Sequence, residues 1–399
     1  MRVAVVGGKL QGIETCYLAH QAAWEVVVVD KNPCAPASGL CDDFICNDIV
    51  RKPERFAGAI RDVDLIIPAM EDLEGLQCLA EVAARNDIPL AFDPNAYATT
   101  SSKKESDHLF CRLGLPAPRP WPDCRLPVIV KPVASSGSKG VMKIDDRENL
   151  RVFLQKNKPK LPQWIIQEYL EGPSYSLEVV SLGGQCITLQ PTALDMDATF
   201  DCKRVIAPVD LSTTLDQEFR AIATTIAQTL HLNGVMDVEV VRHEDHLKIL
   251  EIDARLPSQT PTVVERSTGI NMLELLRGIF LDSRLPEICP TMTQRGVVYE
   301  HIRVWGNHLE VSGEHIIAEA GPLHIEDGFF GADMALTNFS SPSHPWMATL
   351  IVSDTSRERA WEKRCKAIQA IMETCELSCY EDPVPNDRET LKGNDVDTS

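Results

Sequence analysis

The segments GVMDVEVV and LKILEIDAR, joined by the polar run RHEDH across residues 234–255, carry acids at alternate positions. In an extended strand that period sends Asp237 and Glu239 to one face. On the return strand Glu251, Asp253 and Arg255 share a face, while Leu250 and Ile252 point into the core. Two unit charges about 4 Å apart repel by roughly 4 kcal/mol at an effective dielectric near 20, so four crowded carboxylates require a cation. Hard oxygen ligands suit Mg2+, which takes one or two carboxylates and completes its shell with water and phosphate oxygens. Asp237, Glu239, Glu251 and Asp253 are therefore the expected metal ligands, with a nucleoside triphosphate as their partner. A solvated acidic hairpin is the plain alternative. Against it, Arg255 and the following SQTP turn extend the acidic face into anion-binding groups.

Two further stretches have the make-up of phosphate sites. Lys131 ends the apolar strand Val128, Ile129, Val130, so its ammonium emerges at a sheet edge. The loop Ser135, Ser136, Gly137, Ser138, Lys139, Gly140 offers small residues whose amides can close around phosphates. Taken singly, such a loop is an ordinary surface turn and a strand-end lysine extends to solvent. At the N-terminus, VVGGKLQG reads as a strand-turn-helix phosphate site with Gly7, Gly8 and Gly12 at the turn and Asp30 closing VVVVD. Lys9 stands where the middle glycine of GxGxxG belongs, which weakens the dinucleotide signal. A second nucleotide held at Lys9, Leu10 and Asp30 and a purely structural turn both remain open.

The elements that must position these groups alternate early and separate later. Short β-branched runs at Val3 to Val6, Val26 to Val29, Leu65 to Pro68 and Leu90 to Phe92, with helices at Gln11 to Ala22 and Leu73 to Arg85, predict a Rossmann-like parallel-sheet domain over 1–97. A helix from Lys103 to Leu113 ends at Gly114 and leads through a Pro-rich passage into a small mixed sheet. The linker helix and this central lid domain are expected over 98–183, and the strand Ser176 to Val180 is assigned to it. A catalytic domain over 184–380, α+β in character, contains a helix from about Asp216 to Leu230, the acidic hairpin and a helix at Asn271 to Phe280. The polar tail 381–399 reads as disordered.

A chain of 399 residues is long enough for two or three domains. Its net charge of -19, without a basic run, argues against nucleic acid or an anionic membrane as partner. The 13 cysteines are scattered without CxxC spacing, so neither a zinc site nor a disulfide framework is indicated. No signal-peptide layout or membrane-length apolar run is seen, and a cytoplasmic enzyme is the expectation.

The order of the motifs carries a resemblance. Lys103 ahead of Gly114-Leu115-Pro116, then Lys131, the Ser/Gly loop, WIIQEYLEG and the acidic hairpin stand as they do in ATP-grasp enzymes, which the chain resembles over about residues 100–280. The resemblance implies an ATP-grasp fold, α/β and α+β, behind the N-terminal parallel-sheet domain, with ATP and Mg2+ as cofactors. It implies that Lys103 and Lys131 contact the phosphates and that Ser135, Ser136, Gly137 and Ser138 fold over them. Gln167, Glu168, Tyr169 and Leu170 would hold adenine, and Glu239, Glu251 and Asp253 would hold the metal. The sequence departs from the family pattern at Pro173-Ser174, where many members carry a ribose-binding acid.

A narrower resemblance, spanning nearly the whole chain, lies in VGGKLQG, VDKNP, PAMEDLE, EIDARLPSQTPTVV and STGINMLELL, which are similar to the ligases of pyrrolysine biosynthesis. That family implies ATP-dependent isopeptide formation between the carboxylate of 3-methyl-D-ornithine and the side-chain amine of L-lysine. Lysine would sit near Glu71 and Asp72, and methylornithine between Ser176, Glu178, Asp201, Arg255, Ser258 and Thr260, with Arg255, Lys103 and Lys131 as the catalytic cations. The charge types suit two ammonium groups and a carboxylate. Competing readings are an ATP-grasp carboxylase of the biotin-carboxylase or purine-pathway type, a nicotinamide-dependent dehydrogenase, and a nucleotide-sensing protein without chemistry.

Overall fold

Arg2–Val6, Glu25–Asp30, Asp43–Cys46 and Leu65–Pro68 pair in parallel, with the first strand between the second and the fourth and the third at the edge. This computed structural model describes residues 1–133, 138, 140–288 and 294–385. The runs VAVV, VVVV and LIIP are buried on both faces, as a helix-covered parallel sheet demands. Val3, Val5, Val26 and Val28 face the helix Leu10–Gln21, whereas Ala4, Val6, Val27 and Val29 face Phe56, Leu79 and Val82 of the other two helices. The edge strand Asp43–Cys46 escaped sequence reading because it is half-exposed and has no apolar run. Conversely, the strand expected at Leu90 to Phe92 reduces to a single bridge. Ala91 donates to Ile66, and the chain then turns into Asp93, which caps the helix Pro94–Thr100.

The helix Lys103–Leu113 forms as expected, capped by Ser102 and closed by Gly114 in the left-handed region at φ 64°. A three-stranded antiparallel sheet follows, with Val128–Pro132 between Met142–Ile144 and Trp164–Glu168. The helix Arg147–Lys156 covers it through Leu150.

The remaining strands build one twelve-stranded sheet. The strand Ser174–Leu182 belongs to this large sheet rather than to the small one, because it pairs residue by residue with Gly234–His243. The small sheet ends at Glu168. Beneath this part of the sheet the helix Thr213–Thr229 buries Phe219, Ile222, Ala223 and Ile226 against Leu177, Val179, Val238, Val240, Ile249 and Ile252. One face of three strands is thereby committed to the core, and the opposite face is left for the acids. A further helix, Arg357–Thr374, packs on the far strands. The tail read as disordered from Glu381 is instead anchored at its start: Cys379–Glu381 is a strand, and Asp382 pairs with Lys203 and Arg204. Residues 386–399 lie outside the described residues.

Candidate active site

The acidic hairpin forms with the strands Gly234–His243 and His246–Asp253, and its register puts Asp237 opposite Asp253 and Glu239 opposite Glu251. The neighbouring strand completes two rows, Asp253–Asp237–Glu178 and Glu251–Glu239–Ser176. Opposed residues on one sheet face stand about 5 Å apart. A bulge between Glu239 and Val240 makes Leu250 the extra residue, so Ile249 and Ile252 enter the core and the expected inward placement of Leu250 is wrong.

Burial and mutual repulsion act on these acids. Burial, then Asp253 and Glu239, push Asp237 well above the carboxylate range at 7% exposure. Glu239 is raised to about 7 by burial and by Glu251, and Asp253 to about 6 by burial against the pull of Arg255. Glu178, fully buried, is raised to about 7 by burial despite the Ser176 hydroxyl, 3.3 Å away. Glu251 moves the other way: burial is outweighed by Lys103, which donates to it, and by Lys131. Burial lowers Lys131 itself, with Glu251 opposing. Arg255 reaches Asp253 and Glu71 at 2.7 Å each, and these acids hold the guanidinium charged against burial.

Among the described residues, five carboxylates of these strands thus face three cationic side chains. Asp237 Oδ1 and Asp253 Oδ1 are buried without a hydrogen-bond partner among the described residues. Buried, unpartnered, all-oxygen donors fit a hard divalent cation, and Asp237, Glu239, Glu251 and Asp253 are the residues able to hold one.

Two cavities flank this face. A small one of about 140 Å³ is lined by Ser138, Ser176, Asp201, Thr260 and the four hairpin acids. A larger one of about 620 Å³ opens over the C-terminal ends of the parallel strands, past Lys9, Leu10, Asp30, Glu71 and Asp72. They share Arg255, Ser258 and Glu314, so residues far apart in sequence converge on one junction. Several of the expected residues also have structural duties. Asp72 caps the helix Leu73–Asn86 through the Gly75 amide at 2.8 Å. Asp30 accepts the Gly8 amide at 2.6 Å and the Asn32 amide at 2.7 Å, bracing the glycine turn. Gly7 itself, at φ 114°, has no room for a Cβ, which would stand 2.1 Å from the Ala69 carbonyl. Asp201 accepts His315 at both its backbone amide and its ring, and Gln11 donates to Glu71 at 3.1 Å.

On the small-sheet side of the cleft, Glu168 accepts the Arg119 amide and guanidinium, each at 3.0 Å, and the Lys248 ammonium. Burial works against these bonds, yet they hold its carboxyl below the usual range. Tyr169 receives Lys143 over its ring at 4.3 Å and Leu170 is buried, while Gln167 is a buried member of the strand. Ser138 donates to the Phe200 carbonyl, tying the loop to the large sheet. Ser135, Ser136 and Gly137 lie outside the described residues.

Sequence reading missed Glu314. It is half-buried, and desolvation and Asp201 raise its carboxyl, while Ser258 at 2.7 Å and Gln259 at 2.6 Å donate to one of its oxygens. No local motif marks it, and it meets Ser258 only through the fold. Gln259, held at φ 73° where the turn enters the helix Thr260–Thr268, was quoted only as part of SQTP. Asp107, one turn after Lys103 and raised by burial near Lys131, was also overlooked.

The ATP-grasp domain family matches residues 100–259. A biotin carboxylase complex with β,γ-ATP from Campylobacter jejuni superposes with a TM-score of 0.72 over 94% of this chain and 95% of that one, at 14% identity. Fold and match together define an ATP-grasp protein. The chain is 35% identical to the 3-methyl-D-ornithine–L-lysine ligase of Methanosarcina acetivorans over 91% of its length and 95% of that protein, and 34% identical to that of Methanosarcina mazei over 92% and 95%. It belongs to the 3-methyl-D-ornithine–L-lysine ligase family. No helix of the described residues is long and apolar enough to cross a membrane.

Proposed function

We infer that this protein is an ATP-dependent ligase that joins the carboxylate of (3R)-3-methyl-D-ornithine to the side-chain amine of L-lysine, the isopeptide-forming step of pyrrolysine biosynthesis. The observation that carries the reading is the junction of the two cavities at Arg255, with a carboxylate face on one side and Glu71 on the other.

Asp237, Glu239, Glu251 and Asp253 would hold Mg2+, which when bound would supply charge neutralisation for the triphosphate. Lys103 and Lys131 meet phosphate oxygens, releasing Lys103 from Glu251, and Ser138 borders the same small cavity. Gln167, Glu168, Tyr169 and Leu170 border the adenine. Glu168, already engaged by Arg119 and Lys248, shapes that border rather than reaching freely into it.

Methylornithine lies among Ser176, Glu178, Asp201, Ser258 and Thr260, its carboxylate drawn to Arg255. That carboxylate attacks the γ-phosphorus and ADP leaves, giving an acyl phosphate. The lysine amine, held near Glu71 and Asp72, then attacks the acyl carbon and inorganic phosphate departs. Arg255 steadies the oxyanion, and Glu71 or Glu178 accepts the proton lost by the amine. Burial holds Glu178 at about 7, within the range of a general base. Lys9, Leu10 and Asp30 border the larger cavity and would be the contacts of a second nucleotide there. The cytoplasm suits an ATP-consuming enzyme whose described cysteines are all free thiols.

Purified protein incubated with ATP, Mg2+, L-lysine and D-ornithine should release ADP and yield ornithyl-lysine by mass. ADP release that ignores lysine would sink the reading. Release driven by bicarbonate would favour the carboxylase alternative.

A further inference from the structure

Three side chains with metal-ligating atoms meet where the last strand docks, several strands away from the acidic hairpin: His308, Cys379 and Glu381. The parallel pairing of His308–Val311 with Cys379–Glu381 sets His308 directly opposite Cys379. Cys379 and Glu381, two residues apart on one strand, share a face. The docking is firm, since the Ser378 and Cys379 amides both donate to the Asn307 carbonyl, at 3.0 and 3.1 Å.

The imidazole is held flat against Trp305, with centroids 5.4 Å apart and planes 7° from parallel. Its Nδ1 is buried, lacks a hydrogen bond of good geometry among the described residues and lies 3.3 Å from Glu381 Oε1. Cys379 Sγ lies 3.4 Å from the same oxygen, and all three ligand atoms fall within 4.8 Å of one another. Ligands bonded at about 2.0–2.3 Å in a tetrahedron stand roughly 3.3–3.7 Å apart, and the two edges to Glu381 Oε1 match that geometry.

We propose that His308 Nδ1, Cys379 Sγ and a Glu381 oxygen bind one divalent cation of the zinc class, with a fourth position open to water. A thiolate and an imidazole select a borderline-soft ion over Mg2+. On binding, the Cys379 thiol gives its proton to solvent as the sulfur–metal bond forms. The other such group among the described residues, Asp197, Asp201 and His315, differs in kind. Asp197 accepts the Thr199 hydroxyl and the Thr199, Asp201 and Gly313 amides, so its oxygens are engaged in bracing a turn. The proposed site clips the strand that leads into Asp382, the partner of Lys203 and Arg204.

The test uses the full chain stripped of metal and titrated with Co2+ as a zinc surrogate. A thiolate-to-cobalt charge-transfer band should grow, saturate at a single equivalent and vanish on adding Zn2+. Cobalt on the all-oxygen hairpin site gives no such band, so the ligase reading and this one fail separately. Cys379→Ser should abolish the band, and Cys365→Ser, an exposed cysteine on the last helix, should keep it. In the unmutated protein Zn2+ should protect Cys379, located by peptide mass, from alkylation. No band, a band that survives in Cys379→Ser, or equal alkylation with and without Zn2+ would overturn the proposal and leave a histidine–carboxylate contact beside an idle thiol.

Discussion

Around Glu300, at 0% exposure, the large sheet buries charge in balance: Arg204 and Arg364 clasp the carboxylate, Arg204 also holds Asp195 and Asp382, and Lys203 adds to Asp382. Three cations meet three acids, and none of the polar atoms of Glu300, Arg204 or Arg364 is left buried without a partner. Along the acidic hairpin of the same sheet, five carboxylates meet three cations among the described residues, and Asp237 Oδ1, Asp253 Oδ1 and Glu178 Oε2 lack a hydrogen-bond partner among them. Partnership separates the two regions. Closed, the first region is structural. Open, the second holds acids above their ordinary range, and a cation would relieve that cost.

The comparison can be broken most sharply at Glu251. Glu251→Ala should lower kcat in the ADP-release assay by about 10²–10³-fold or more, because it removes a proposed metal ligand and frees Lys103. A rate within about tenfold of the parent would show that the hairpin is not the metal site.

In the closed region, Glu300→Ala strands two buried guanidinium groups. It should cost about 3–5 kcal/mol, read as a lower denaturation midpoint, with kcat of the folded fraction retained. A kcat loss without a shift in midpoint would reverse the roles assigned to the two regions.

Glu14 is an intermediate case, a lone buried acid on the first helix that accepts the Thr262 amide, with burial raising it to about 7. A raised carboxyl contributes stability that is complete below its unfolded value of 4.5 and is lost as pH climbs through about 7. Glu14→Gln keeps the hydrogen bond and removes the charge. It should therefore be near neutral at pH 4 and more stable than the parent by about 3 kcal/mol at pH 8. Equal pH profiles for the two proteins would refute a buried, ionising Glu14.

The smallest effect is expected from Glu239→Gln. Removing one of the crowded acids should stabilise the ligand-free protein by about 0.5–2 kcal/mol while weakening Mg2+ binding in calorimetry. Destabilisation would place Glu239 with the balanced network rather than the open one.

Much of this was legible from local pattern. Period-two alternation marked Asp237, Glu239, Glu251 and Asp253, and a strand-end lysine, a hinge and an SQTP turn followed one another in an order that few folds use. The glycine turn was legible too, and in the structure Asp30 braces it while Lys9 and Leu10 border the larger cavity. What escaped had no local signature. The bulge at Leu250 reversed one inward-facing residue, and a half-exposed edge strand lacked the apolar run that would announce it.

The sequence by itself determined which residues alternate and cap, and therefore that an acidic face must exist, since periodicity and charge are properties of neighbours along the chain. Only the tertiary structure decided that Ser174–Leu182 joins that face and supplies Glu178, that Glu71 reaches Arg255 from another sheet, and that Glu314 stands at the junction. Such pairings join residues tens to hundreds of positions apart. They are selected by how helices and sheets share one interior, which no local spacing records.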